Sequence, residues 1–361
     1  MRKLASIKEI SDLIPIEGRD RIELAIIDGW QVIVKKGEFS RGDKCVYIEI
    51  DSVLPEKPEF EFLRSKDFRI RTMKMAGVIS QGICFPLSIL PRGQYILEQD
   101  VTEIIGVKQY EKTMDDAPQQ MQPKQATFKY PKWLMRWGWF RKLISRSSKR
   151  EARAFPNFIS KTDEVRIQNM PFILRNKEPM ICTEKIDGQS GTFALVRHEG
   201  LFGRKYEYIV CSRNRRLYEE DDSSYWAVSA KYHIELSLTA LMGWCGNPSW
   251  VAIQGECISP KVQGNKYKVT EPDFYVFNVI TPKGRLGTLE AYKLAKVVGL
   301  KFVPIVNANY VLPDTVNEVL DYATGQSAIG DTLREGLVIR SQDGVASFKA
   351  VSPQFLITYN E

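Results

Sequence analysis

Residues 183–191 read TEKIDGQSG and follow the apolar run Met180-Ile181-Cys182. A lysine thus stands at the end of that run, two places before Asp187 and three before Gly188. Alone, a KxDG pattern also describes an ordinary exposed turn, so its meaning depends on what else the chain carries.

The sequence first limits the chemistry available. Its 361 residues include only two histidines, His198 and His233, and six scattered cysteines with no CxxC spacing. A Ser-His-Asp triad or a zinc site has almost no raw material, and disulfides are not expected. Apolar residues make up 43% and charged residues 26% of the chain, and no run nears the roughly 18 apolar residues that span a bilayer. The N-terminal stretch MRKLASIKEISDL has no apolar segment ahead of a small-residue cleavage site, so a cytoplasmic location is expected. The net charge of +7 is locally concentrated and suggests polyanionic partners.

The length suits two domains. Residues 1–105 read as about five short strands punctuated by Asp28-Gly29, Lys36-Gly37 and Arg41-Gly42-Asp43, a small β-barrel that fits the OB type, a fold that often binds nucleic acid, with a barrel of another kind as the alternative. In its basic stretch 68–74, Arg69, Arg71 and Lys74 are candidates to grip a strand. Residues 106–154 change character: DDAPQQMQPKQ reads as a linker, and 129–150 carries eight basic residues, no acidic one, and Trp133, Trp137 and Trp139. That segment suits phosphates and bases, a membrane surface, or docking on a neighbouring domain. Residues 155–361 mix strands with helices expected over 224–242, 289–298 (stopped by Gly299) and 315–322 (capped by Asp314).

Further short segments follow Lys185 in order: Ser212-Arg213-Asn214, Ile253-Gln254-Gly255-Glu256, Asp273-Phe274-Tyr275-Val276-Phe277, Glu335-Gly336-Leu337-Val338-Ile339-Arg340 and Ser347-Phe348-Lys349. In order and chemistry they resemble the covalent nucleotidyltransferase superfamily of polynucleotide ligases and capping enzymes. The stretch 155–169 and the barrel in front make the chain similar to the fifth family of ATP-dependent RNA ligases. The resemblance covers nearly the whole chain apart from the linker. It implies an α+β fold: an N-terminal OB barrel, then a nucleotidyltransferase (ATP-grasp-like ligase) domain of antiparallel sheets with flanking helices.

The resemblance implies that Lys185 takes AMP from ATP, passes it to a 5′-phosphate and lets a 3′-hydroxyl displace it. A lysine with its ordinary pKa near 10.4 is neutral at pH 7 in only about one molecule in 10³ to 10⁴. Asp187, Glu256 and Glu335 nearby would favour the ammonium further. The conflict resolves if they hold a divalent cation, Mg²⁺ or Mn²⁺, mainly through water; a second ion would sit on the outer phosphates of ATP. Phe277 is assigned to stack on adenine, and Arg213 to contact ribose or phosphates. Glu256 is assigned to the ribose as well, Lys349 to the α-phosphate, and Glu184 and Arg166 to the nucleotide. Two departures stand out: Ser347 replaces the first lysine of the family's usual Lys-x-Lys, and Ser190 stands where some RNA ligases have asparagine.

Residues 335–351 read as a hairpin turning at Gln342-Asp343-Gly344. A three-residue loop with Gly344 left-handed would pair Leu337 with Lys349 and put Lys349 and Glu335 on one face; a two-residue turn would pair Val338 with Lys349 and separate them. The first register is expected. The implied partner is RNA, or a nicked duplex with RNA on its 3′-OH side; no membrane is involved and a monomer is expected. The alternatives are a DNA ligase of the same superfamily and a non-catalytic OB protein that binds nucleic acid.

Overall fold

The computed structural model describes residues 3–110, 154–200, 203–219 and 223–359, so the segment 129–150 lies outside the described residues. Their contacts divide them into two compact units. One is drawn from Met1–Lys112, Glu164–Ile186 and Pro304–Glu361, the other from Thr113–Asp163 and Asp187–Val303.

The first unit contains the OB-type barrel. Ala5–Glu9, Lys44–Ile48 and Ile83–Pro86 form one sheet, and Asp12–Pro15, Ile22–Ile27 and Trp30–Lys35 a second. Along Trp30–Lys35, Trp30, Val32 and Val34 are buried while Gln31 and Ile33 are half-buried, the period of two that a barrel wall needs. Positive φ at Asp51 (65°), Asp67 (53°) and Phe68 (54°) cuts the later part into short pieces, so the strands are shorter and more numerous than expected.

The barrel is fastened to the rest of its unit by polar and apolar contacts. Trp30 Nε1 donates to Asn169 Oδ1 (2.6 Å), Asn169 Nδ2 to Glu49 Oε1 (2.8 Å), and Gly29 N–H to the Gln168 carbonyl (3.1 Å). A Cβ on Gly29 would lie 2.7 Å from Gln168 Cα, so only glycine permits this approach. From the other end of the chain, Val351, Phe355 and Leu356 enter the barrel's own core with Trp30, Tyr47 and Phe60. Phe355 and Leu356 lie on a helix, Pro353–Thr358, that starts with proline and is capped by the Ser352 hydroxyl.

Beside the barrel lies a five-stranded sheet in the order Val165–Arg166, Ser347–Val351, Gly336–Ser341, Met180–Lys185, Ile305–Tyr310. One face buries Met180, Cys182, Leu337, Ile339, Phe348 and Ala350 against Val316, Val319, Leu320 and Ala323 of the helix Val316–Ala323. That helix is capped by Thr315, not Asp314: the Thr315 hydroxyl accepts from Glu318 N–H while Glu318 accepts from Thr315 N–H, a capping box. Asp314 is instead paired with Lys177 at 2.8 Å.

The hairpin register differs from expectation. Val338 pairs with Lys349, Ile339 with Phe348 and Arg340 with Ser347. Gly344 is left-handed (φ 74°), as expected, but the Asp343 carboxylate accepts the Val345 N–H (3.0 Å) and draws one more residue into the loop. Ser341 N–H then donates to the Ala346 carbonyl at 3.0 Å.

The second unit is a six-stranded antiparallel sheet in the order Arg216–Leu217, Gly203–Cys211, Gln189–Gly200, Trp250–Ile258, Asp273–Thr281, Gly284–Arg285. The helix expected over 224–242 is two, Ser224–Lys231 and Ile234–Trp244, because His233 takes a left-handed φ of 47° between them. Thr288–Val297 ends before a left-handed Gly299 (φ 76°), as expected.

The break leaves the Tyr232 hydroxyl on Asp273, which also receives Lys301 Nζ at 2.7 Å and the Phe274 N–H at 2.9 Å. Burial works to raise the Asp273 carboxyl, but these donors outweigh it and hold the group below its ordinary value. A carboxyl depressed in the folded state stabilises the protein above its unfolded value, near pH 4, and that stabilisation fades as pH falls through the folded value. Asp273→Asn should therefore cost about 1 kcal/mol at pH 7. The loss should shrink below about pH 4; thermal melts from pH 3 to 7 check it.

Candidate active site

In the first unit, Met180–Lys185 pairs with Gly336–Ser341 from Met180↔Ser341 to Lys185↔Gly336. Pairing and alternation put Thr183, Lys185, Val338 and Lys349 on one face, away from the helix-covered core. Lys185 Nζ lies 2.5 Å from Glu335 Oε2, with the two side chains 26% and 12% exposed. The observed register was expected to keep Glu335 away from this face. It does not, because Glu335 precedes the strand and Gly336, at φ 157°, ends the alternation before it. The Glu335 carbonyl also accepts Ser352 N–H at 2.8 Å, fixing its backbone beside the neighbouring strand.

Glu184 alternates to the opposite face. Its carboxylate accepts the Ser327 hydroxyl (2.5 Å) and the Ala328 N–H (2.9 Å), and it is almost fully buried. It thereby ties down the segment leading to Glu335. Arg166 pairs with Lys349 in parallel register, and its Nη2 donates to Asp51 Oδ2 at 2.9 Å. Arg166 Nε and Nη1 are buried without a hydrogen-bond partner among the described residues, a state that suits an incoming anion.

In the second unit, Gly188 N–H donates to Glu256 Oε1 at 3.1 Å. A Cβ on Gly188 would lie 2.5 Å from the Cys257 carbonyl oxygen, so the glycine of the KxDG pattern is needed for this close approach. Glu256 pairs with Ser190 on one side and Tyr275 on the other; Phe277, half-buried, lies two residues beyond Tyr275, where the register shifts and leaves it as the extra residue opposite Gln254 and Gly255. Toward the other end of this sheet, Ile159 is buried with Ala194, Ala252 and Ile280. Arg213 makes an exposed pair with Asp163 at 3.8 Å.

Asp187 is ion-paired with Lys266, and its N–H donates to the Tyr267 hydroxyl at 2.8 Å. Sequence reading missed both partners: they lie 79 and 80 residues away in a loop whose only signal is the turn-forming Gly264-Asn265. Among the described residues, no three His, Cys, Asp or Glu side chains are grouped to hold a metal directly.

The structure sets the three barrel cations apart. Arg69 is 6% exposed, its guanidinium 3.5 Å from the centre of the Tyr110 ring; its strand pairs with Ser52–Val53, whose other neighbour is Lys108–Gln109, the strand just before Tyr110. Arg71 is half-buried, and of the three only Lys74 is exposed. None of the six cysteines is joined in a disulfide. No helix among the described residues is long and apolar enough to cross a membrane.

Comparison with known proteins is consistent with this geometry. A family model described as OB-fold domain matches residues 4–87, and one described as RNA ligase matches 178–351. Among solved structures, the chain is similar to a Naegleria gruberi RNA ligase mutant with ATP and Mn, at 30% identity over 100% of each chain and a TM-score of 0.80. A second mutant of that ligase, with AMP and Mn, shows 31% identity over 98% of each chain and a TM-score of 0.79. The same enzyme with PPi gives 31% identity over 99% of this chain and 98% of that one, at a TM-score of 0.78. Among curated protein sequences there is no match.

Proposed function

The chain belongs to the RNA ligase family, and on that premise we propose that it uses ATP to join a 3′-hydroxyl to a 5′-phosphate, at nicks in duplexes with RNA on the 3′-OH side. Lys185 is the nucleophile in this reading: its amine attacks the α-phosphorus of ATP, pyrophosphate leaves, and AMP stays on Nζ until a 5′-phosphate takes it. The observation that carries the reading is the Lys185–Glu335 pair, an amine at the end of a strand on the sheet face that also bears Lys349.

Attack needs the neutral amine, so Glu335 must exchange Lys185 for another positive partner first. The carboxylates suit a hard dication with oxygen ligands. In this reading Asp187, Glu256 and Glu335 would hold it mainly through water. Bound there, Mg²⁺ or Mn²⁺ would supply the positive charge that offsets the carboxylates and the α-phosphate. Lys349 neutralises charge that develops on that phosphate, and the buried nitrogens of Arg166 receive the nucleotide or RNA phosphate. Phe277 offers an aromatic face to adenine, Glu256 accepts from a ribose hydroxyl, and Arg213, Glu184 and Asp187 complete or brace the site.

In this reading residues 1–105 grip the strand beside the nick, with Lys74 and Arg71 as the available barrel cations. Residues 106–154 link them to the adenylylating part, 155–361, in a monomer of the cytoplasm, a reducing setting that suits six cysteines kept as thiols. Sealing assays on nicked duplexes that are all RNA, all DNA or mixed test it. Joining should be efficient when the 3′-OH strand is RNA and weak when it is DNA. Equal sealing of the two would remove the RNA preference and leave a DNA ligase.

A further inference from the structure

The strand carrying Glu256 is followed by a loop with positive φ at Gln263 (51°), Gly264 (66°), Asn265 (49°) and Lys268 (53°). Non-glycine residues adopt that conformation only where surrounding contacts compel it. Here Asn265 seals the loop, its Nδ2 donating to the Val269 carbonyl and its Oδ1 accepting the Val269 N–H, both at 2.9 Å. The result sends three side chains to one dipeptide, Asp187-Gly188. Lys266 meets the Asp187 carboxylate, the Tyr267 hydroxyl takes the Asp187 N–H, and Gln263 Nε2 donates to the Gly188 carbonyl at 3.4 Å.

Lys266 and Asp187 are 9% and 7% exposed, so this is a buried ion pair. A buried carboxylate without a counter-charge is costly, and a second cation on the same carboxylate repels the first. We propose that Lys266 is the resident counter-cation of Asp187. It positions the carboxylate while the protein is metal-free, and it must be drawn back when a divalent cation engages Asp187. Lys266 is then a positioning residue that sets how tightly the metal binds. The idea rests on the metal-binding reading of Asp187 given above.

The test uses the full chain without ATP, with Mn²⁺ as the probe and the electron paramagnetic resonance signal of unbound Mn²⁺ as the readout. Lys266→Met should bind Mn²⁺ about tenfold more tightly than wild type, whereas Lys266→Arg, which keeps the charge, should not. In parallel, wild type is treated with a water-soluble acetylating reagent and digested, and modification of Lys266 is measured by mass spectrometry. Lys266 should be protected in the metal-free protein and acetylated several-fold faster with Mn²⁺. Unchanged protection overturns the proposal, and decides the matter alone if Lys266→Met does not fold; so does Mn²⁺ binding by a folded Lys266→Met no tighter than wild type. Asp187→Asn separates the two readings. If it binds Mn²⁺ as wild type does, the metal role of Asp187 falls. If it loses Mn²⁺ while Lys266 stays equally protected, only the counter-cation falls.

Discussion

Lys185→Ala protein incubated with labelled ATP and Mn²⁺ is expected to carry no covalent AMP, a loss of at least about a thousandfold in adduct formation against wild type. The substitution spares the fold: Lys185 ends its strand, partly exposed, and the backbone pairing from Met180 to Glu184 does not depend on its side chain. Lys185→Arg sharpens the test. A guanidinium retains the charge and can reach Glu335, but it stays protonated at any usable pH and has no lone pair to offer phosphorus. If Lys185 acts as a nucleophile, arginine is as inactive as alanine; if it only balances Glu335, arginine retains activity. Adducts on either variant, mapped by mass spectrometry to another residue, would end the assignment.

Gly336→Ala should be the most damaging substitution in the five-stranded sheet, costing more than about 3 kcal/mol. An added Cβ would lie 2.1 Å from the Ala350 carbonyl oxygen and 2.9 Å from Val351 Cα. Both are backbone atoms that no rotamer change can move. Gly336 also pairs with Lys185 on its other side, so relieving the clash means opening a sheet on which Lys185 and Glu335 both depend. Gly344→Ala is the control. It too has positive φ (74°), but nothing lies within 4 Å of its added Cβ, and about 1 kcal/mol is expected. Urea midpoints of the two variants should differ accordingly; similar midpoints would show that the sheet absorbs the added methyl.

The parts of the chain that announce themselves locally were legible. Alternating apolar strands gave the barrel, and the short segments around Lys185, Glu256 and Glu335 gave the order of the catalytic half. The hairpin register was not legible, because a left-handed Gly344 is compatible with either pairing. The choice between them fell to the Asp343 side chain and its grip on Val345. Nor did strand alternation decide where Glu335 points, since alternation ends at Gly336. Arg69 reads as a surface charge but stacks on Tyr110, a residue 41 positions later that no local pattern connects to it. The partners of Glu184 and Asp187 escaped for the same reason: Ser327 and Lys266 lie 143 and 79 residues away from them.

The final helix bears on how such an enzyme could be taken apart. Phe355 and Leu356, near the end of the chain, fill the interior of a barrel begun at its start, so a cut made between the two halves would split one hydrophobic interior and wet both pieces. Exchanging barrels among related enzymes to alter substrate choice would therefore succeed only if the tail travels with the barrel it completes.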